Sequence, residues 1–389
     1  MIGVFVAVSR LLFNVLYKIC DLLPRKNEAL FFSRQANEPS RDFMALGVEF
    51  EKRGFEVVYL TKKLSRRTVF SYMGHIVREL YHLARCRVCF LDRYDPVVCL
   101  LDFKCETIDL SQESVEGFFR EFPCEPMIVQ LWHAFGAFKK FGYQSVDTIE
   151  GHTRETADLF KIHRNYSYVV CSGERCVQPF SEAFRCPPSR VVPMLRPEYD
   201  WLCENKPRAL SRGKTNASTI LFAPTLRKSA ASDHPLRLLY DDGAWKSLNA
   251  CASVVWSFHP LEETGVAPGD ANEDLYRADY VVTDYSSIVY EAYMLGKRVL
   301  FYVPDIDAYR LSPGLNIDPE VECPGIVFKE PDAVIAELHE YSIGEKEYPE
   351  EELERFMQGA FVDAHGSATE TMVEFALEKC AEVDYGQKN

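Results

Sequence analysis

From Pro24 onward the chain alternates short apolar runs with longer stretches in which apolar residues return every three or four positions. The runs EALFFS (28–33), FEVVYL (55–60), CRVCFL (86–91), PMIVQLW (126–132) and SYVVCSG (167–173) form one set. TILFAPT (219–225), ASVVWSF (252–258), DYVVTD (279–284) and RVLFYV (298–303) form a second. Apolar runs with helical stretches between them predict parallel strands covered on both faces. A polar stretch rich in Lys, Arg and Ser at 204–217 separates the two sets and reads as a linker. The pattern predicts an α/β protein with two doubly wound domains in tandem, at 26–205 and 206–389.

Residues 1–25 follow another pattern. In MIGVFVAVSRLLFNVLYKICDLLPRK the polar residues Arg10, Asn14, Lys18 and Asp21 recur every three or four positions, lining one narrow stripe of a helix whose other faces are apolar. Such a helix suits a membrane interface. Small residues at a cleavage site are absent, and a spanning orientation would place Arg10 and Lys18 near mid-bilayer at about 2.5–3.5 kcal/mol each. The alternative is a helix packed on the protein's own core. In either case the body of the protein is expected on the cytoplasmic side, peripheral to the plasma membrane.

At 389 residues with 47% hydrophobic and 26% charged positions, the composition is that of a folded globular protein. A net charge of -14 excludes a global positive field for nucleic acid, so any polyanionic ligand requires a local basic patch. The thirteen cysteines are scattered and odd in number, which fits reduced thiols in the cytoplasm. Cys86 and Cys89 form a C-x-x-C, but no second pair follows at zinc spacing, and they read as buried strand cysteines with no metal site. Neither a G-x-G-x-x-G nor a P-loop motif is present.

Ligands of doubly wound sheets sit beyond the carboxyl ends of the strands, and two facing domains put their site in the cleft between them. His133 follows the run ending at Trp132. In the second set Thr225 and Arg227, His259, and Asp284 with Ser286 and Ser287 stand at strand ends. Two histidines facing one cleft can serve as base and acid, an arginine offers a bidentate fork for phosphate, and hydroxyls at a helix start add donors. Each histidine alone could be a structural residue; together these groups describe a diphosphate site.

The segments WHAFGAFKKFG, FAPTLRKS, FHP, ADYVVTDYSSIVYEAYMLGKRVLFYVPDIDAYR and PGIVF, with LLPRKNEALFFS at the start and HGSATE near the end, resemble the CDP-glycerol glycerophosphotransferases of bacterial teichoic acid synthesis. The resemblance extends from about residue 12 to 375. It implies a GT-B-like fold, with 26–205 as the acceptor domain and 206–389 as the CDP-donor-binding domain, and transfer of glycerol phosphate from CDP-glycerol to a lipid-linked polyol-phosphate acceptor, with release of CMP and no cofactor. It further implies His133 as general base and His259 as the group that stabilises departing CMP. Thr225, Arg227, Asp284, Ser286 and Ser287 would then hold the CDP moiety. Lys139, Lys140 and Arg196 would grip the anionic acceptor. An anionic membrane surface is the implied partner; the oligomeric state is left open.

The chain departs from the family pattern at several places. His133-Ala134-Phe135-Gly136 stands for His-Gly-Thr-Pro, PTLR for Pro-Thr-Trp-Arg, and in LRPEYD the arginine precedes the proline; SPGLNID follows DAYR where an arginine is expected. These differences leave ribitol phosphate or another polyol phosphate open as the transferred group. Two other readings share the architecture: a glycosyltransferase using a nucleotide sugar, and a non-catalytic protein that binds polymer or nucleotide.

Overall fold

The computed structural model describes residues 2–63, 69–110, 113–121, 124–212, 217–225, 227, 235–258 and 271–386. The first unit is built on the parallel strands β1 (Glu28–Ser33), β2 (Glu56–Thr61), β3 (Val88–Leu91), β6 (Met127–Gln130), β7 (Tyr168–Cys171) and β8 (Val191–Pro193), in the order β2-β1-β3-β6-β7-β8. Strands β4 (Cys105–Leu110) and β5 (Glu113–Arg120) form an antiparallel hairpin. The second unit carries β9 (Ser218–Ala223), β10 (Ala252–Trp256), β11 (Tyr280–Thr283), β12 (Arg298–Tyr302) and β13 (Val327–Phe328), all parallel, in the order β10-β9-β11-β12-β13. Order reversal within each sheet marks the doubly wound pattern expected from the alternating runs.

Period-two alternation divides the first sheet's side chains between two cores. Ala29, Phe31, Val88, Phe90, Met127 and Val129 face one side, where the Phe31 and Phe90 rings stack at 5.4 Å. Leu30, Phe32, Cys89, Leu91 and Ile128 face the other. Cys86 and Cys89 are buried in that second core, and burial raises both thiol pKa values well above 9.0, so they remain protonated packing groups. Among the described residues no group of three His, Cys, Asp or Glu side chains is placed to hold a metal ion.

The polar stretch at 204–217 is helical in its first half, within the helix Glu198–Arg212. The last helix, Ala368–Gly386, leaves the second unit and packs on the first sheet through Met372, Val373, Ala376 and Cys380. Its start is fastened by Asp200, which accepts from Ser367 Oγ (2.8 Å), Ala368 N (2.8 Å), Thr369 N (3.0 Å) and Thr369 Oγ1 (2.7 Å). The HGSATE segment thus closes the chain back onto the first unit.

The amino-terminal helix spans Ile2–Cys20. Two residues of its polar stripe face the protein, Arg10 pairing with Asp102 and Asn14 donating to the Leu100 carbonyl (3.4 Å) while accepting from Asp102 N (2.8 Å), whereas Lys18 is exposed. Tyr17 packs edge-on against Phe103 at 5.2 Å. Most of its apolar side chains point outward, with Val4 and Phe5 each 70% exposed and Leu11 65% exposed, while Val6 is buried. The helix is thus packed on the protein's own body through Arg10, Asn14 and the buried Val6 and Tyr17, and keeps an exposed apolar face on its other side.

Candidate active site

One cleft of about 870 Å³ opens between the carboxyl edges of the two sheets. His133, Lys139 and Lys140 line it from the loop after β6, and Thr225, Ser286 and Ser287 line it from the ends of β9 and β11. Six residues expected at the site therefore share one space.

The loop after β6 aims His133 by several fixed contacts. Trp132 takes the left-handed φ of 59°, uncommon for a bulky residue, with its N–H donating to Gln130 Oε1 (2.9 Å) and its ring 4.2 Å from the His133 ring. Gly136 also has a positive φ, of 65°, and a Cβ built there would lie 2.0 Å from the Tyr290 ring. Only glycine permits that approach. Beyond it Phe135 and Phe138 enter the core of the second unit, and Lys140 N donates to the Gly314 carbonyl (3.0 Å). Anchors on both sides thus position His133 against the second unit.

The imidazole of His133 is open to the cleft but walled by protein. That desolvation, followed by the charges of Arg93, Arg196 and Lys139, holds its pKa well below 6.5. Because the ring reaches solvent, the charges are the firmer cause. A neutral imidazole at pH 7 can accept a proton. If His133 is the base, kcat/KM should stay level as pH falls from neutral through 6.5 and drop only in more acid solution. Bound phosphates would offset the nearby cations, so the acid limb of kcat should lie at higher pH than that of kcat/KM. An acid limb of kcat/KM at or above 6.5 would assign the titration to another group.

Arg227 does not present a phosphate fork. Its guanidinium lies between Asp284 (3.0 Å) and Asp305, stacked near the Tyr285 and Tyr309 rings, and it is absent from the cleft lining. Asp284 is fully buried and accepts from Thr225 N (2.9 Å) as well as from Arg227. A carboxylate buried at a strand end requires a counter-charge, and Arg227 supplies it. Both residues position the cleft floor beneath Thr225 and do not line the cleft.

Arg196 is likewise corrected from an acceptor grip to a buried support. It pairs with Glu198 (2.8 Å) and Asp42 (3.6 Å), donates to the Trp132 carbonyl (3.4 Å) and lies 4.3 Å from the Phe135 ring. It therefore braces the His133 loop from behind. His259 lies outside the described residues.

Several lining residues escaped the sequence reading: Arg34, Lys63, Arg93, Tyr94, His163 and Tyr309. His163 is buried, bonded to the Tyr166 hydroxyl (3.1 Å) and pushed down to about 3 by burial, so its part is structural. Arg34 and Arg93 were within reach of the strand-end rule, since they follow EALFFS and CRVCFL directly or after one residue.

The profile of the CDP-glycerol:poly(glycerophosphate) glycerophosphotransferase family matches residues 15–378. The teichoic acid poly(ribitol-phosphate) polymerase of Bacillus spizizenii is 26% identical over 93% of this chain, which spans 58% of that polymerase. The teichoic acid ribitol-phosphate primase of the same organism is 25% identical, over 93% of this chain and 94% of the primase. A solved structure of the wall teichoic acid polymerase TagF with CDPG is similar in fold, with a TM-score of 0.66 at 14% identity over 98% of both chains.

Proposed function

We propose, since the chain belongs to the CDP-glycerol:poly(glycerophosphate) glycerophosphotransferase family, that it transfers a polyol phosphate from a CDP-polyol to a teichoic-acid-type acceptor and releases CMP. The observation that carries this reading is that His133, Thr225, Ser286 and Ser287 line the same cleft. In the proposed step the acceptor hydroxyl oxygen bonds to the phosphorus that bears the donor polyol, and the bond from that phosphorus to the bridging oxygen breaks. The hydroxyl proton passes to His133, and CMP leaves with the bonding electrons. Ser286 and Ser287 hydroxyls, with Lys139, would hold the diphosphate, since phosphoryl transfer depends on positioning and charge neutralisation more than on covalent help.

Ribitol phosphate and glycerol phosphate both occur in the names of the relatives. The test is CMP release by the purified protein with a membrane-anchored glycerol-phosphate primer and, separately, CDP-glycerol, CDP-ribitol or UDP-glucose. Primer-dependent CMP release from one CDP-polyol would establish the reaction and name the donor. UDP release from UDP-glucose, or no release at all, would overturn it.

The outward apolar face of the helix Ile2–Cys20 supports membrane-surface attachment of the same enzyme. Arg10 and Asn14 tie that helix along the body, which favours its lying flat with Val4, Phe5, Val8 and Leu11 in the lipid interface. Deleting residues 2–23 is expected to release the protein from anionic liposomes in co-sedimentation. Continued sedimentation of a folded truncated protein would place the lipid contact elsewhere.

A further inference from the structure

Three basic side chains to which the transfer step assigns no substrate contact stand in a row on the first unit's wall of the cleft. Arg34 directly follows β1, and Lys63 and Arg93 lie just past β2 and β3; all three line the cleft, as His133 does beyond β6. The sheet order β2-β1-β3-β6 sets their strand ends in the spatial sequence Lys63, Arg34, Arg93, His133. At the usual strand spacing, the strand ends bearing Arg93, Arg34 and Lys63 lie about 5, 10 and 14 Å from that bearing His133.

These cations are not consumed by the fold. Among the described residues Arg34 donates to the Tyr72 hydroxyl (3.2 Å) and forms no ion pair, and the buried Nε of Arg93 has no hydrogen-bond partner. Burial lowers the Arg93 pKa and Arg196 adds to this, with Asp92 opposing them. Asp95, whose charge reaches Arg34, is buried and already accepts from Val97 N (2.8 Å) and Val98 N (3.2 Å). Cations repeated at intervals along an open wall match a chain of phosphates better than a single one.

We propose that the polyol-phosphate acceptor lies along the carboxyl edge of the first sheet, its terminal hydroxyl at His133 and its successive phosphodiesters over Arg93, Arg34 and Lys63. This inference rests on the transfer reaction proposed above. It supplies the acceptor grip that the buried Arg196 does not. The row runs toward the helix Val69–Leu83 that follows β2, and the outward-facing amino-terminal helix packs on that helix. An acceptor anchored in lipid would therefore leave the cleft on the side of the exposed apolar helix.

The test uses a soluble glycerol-phosphate oligomer as probe, titrated without donor into the full chain and into Arg34→Gln, Arg93→Gln and Lys63→Gln variants. Each arginine variant is expected to weaken oligomer binding by about tenfold or more, the size of one charge-assisted contact, with a shallower salt dependence. In turnover the KM for the oligomer should rise while the KM for the CDP-polyol holds, and Lys63→Gln should affect long primers but not a single-unit primer. Unchanged oligomer affinity in both arginine variants, or a raised donor KM with an unchanged acceptor KM, would overturn the proposal. Should the arginine variants not fold, the exposed Lys63 carries the test, and unchanged affinity of Lys63→Gln for a long oligomer would overturn it. Absence of CMP release from every CDP-polyol would defeat the transfer reading alone, because oligomer binding is measured without the reaction.

Discussion

Replacing His133 with alanine is expected to lower kcat by about 10²–10⁴-fold, the span covered by loss of a positioned general base, while donor affinity stays close to that of the parent. The expectation follows from three features that coincide at one ring. The imidazole opens into the cleft, its pKa lies well below 6.5, and its loop is held by Gly136, Phe135 and Lys140 against the second unit. Its exposed position makes the substitution mild for the fold. Single-turnover CMP release with saturating donor and primer separates chemistry from binding. Turnover unchanged from the parent would remove His133 from the proton transfer, and a loss confined to donor KM would move it to the binding of the diphosphate.

Arg227→Ala is expected to destabilise the protein by about 3–5 kcal/mol, because it leaves the buried Asp284 carboxylate beside Asp305 without a counter-charge. Asp284 is fully buried and the Arg227 side chain is 13% exposed, so water cannot replace the guanidinium where it matters. Urea denaturation would read the loss as a lower midpoint at similar slope. Adding Asp284→Asn should recover part of it, since a neutral side chain at the strand end no longer needs a cation. If Arg227→Ala keeps the parent midpoint and only weakens donor binding, the guanidinium is a phosphate ligand after all.

These two expectations separate what patterning could show from what it could not. Strand-end position singled out His133, Thr225, Ser286 and Ser287 because parallel strands point their carboxyl ends to one edge, and the structure brings all four to one cleft. The same rule could not separate a lining arginine from a bracing one. Arg227 and Arg196 look like phosphate ligands in sequence, but Asp284 and Asp305 meet the charge of the first, and Asp42, with the neighbouring Glu198, that of the second; all but Glu198 lie far away along the chain. Arg34 and Arg93 were passed over although each follows a strand, and they line the cleft.

The sequence by itself determined two parallel α/β units, an amphipathic amino-terminal helix and the strand ends at which chemistry could occur, since apolar periodicity depends on local backbone geometry. The tertiary structure alone decided which face of the first helix meets the body, which arginines are neutralised, and that the last helix returns to the first unit. Those outcomes depend on pairing between residues distant in the chain, where a buried charge finds its counter-charge only after the sheets have set their order.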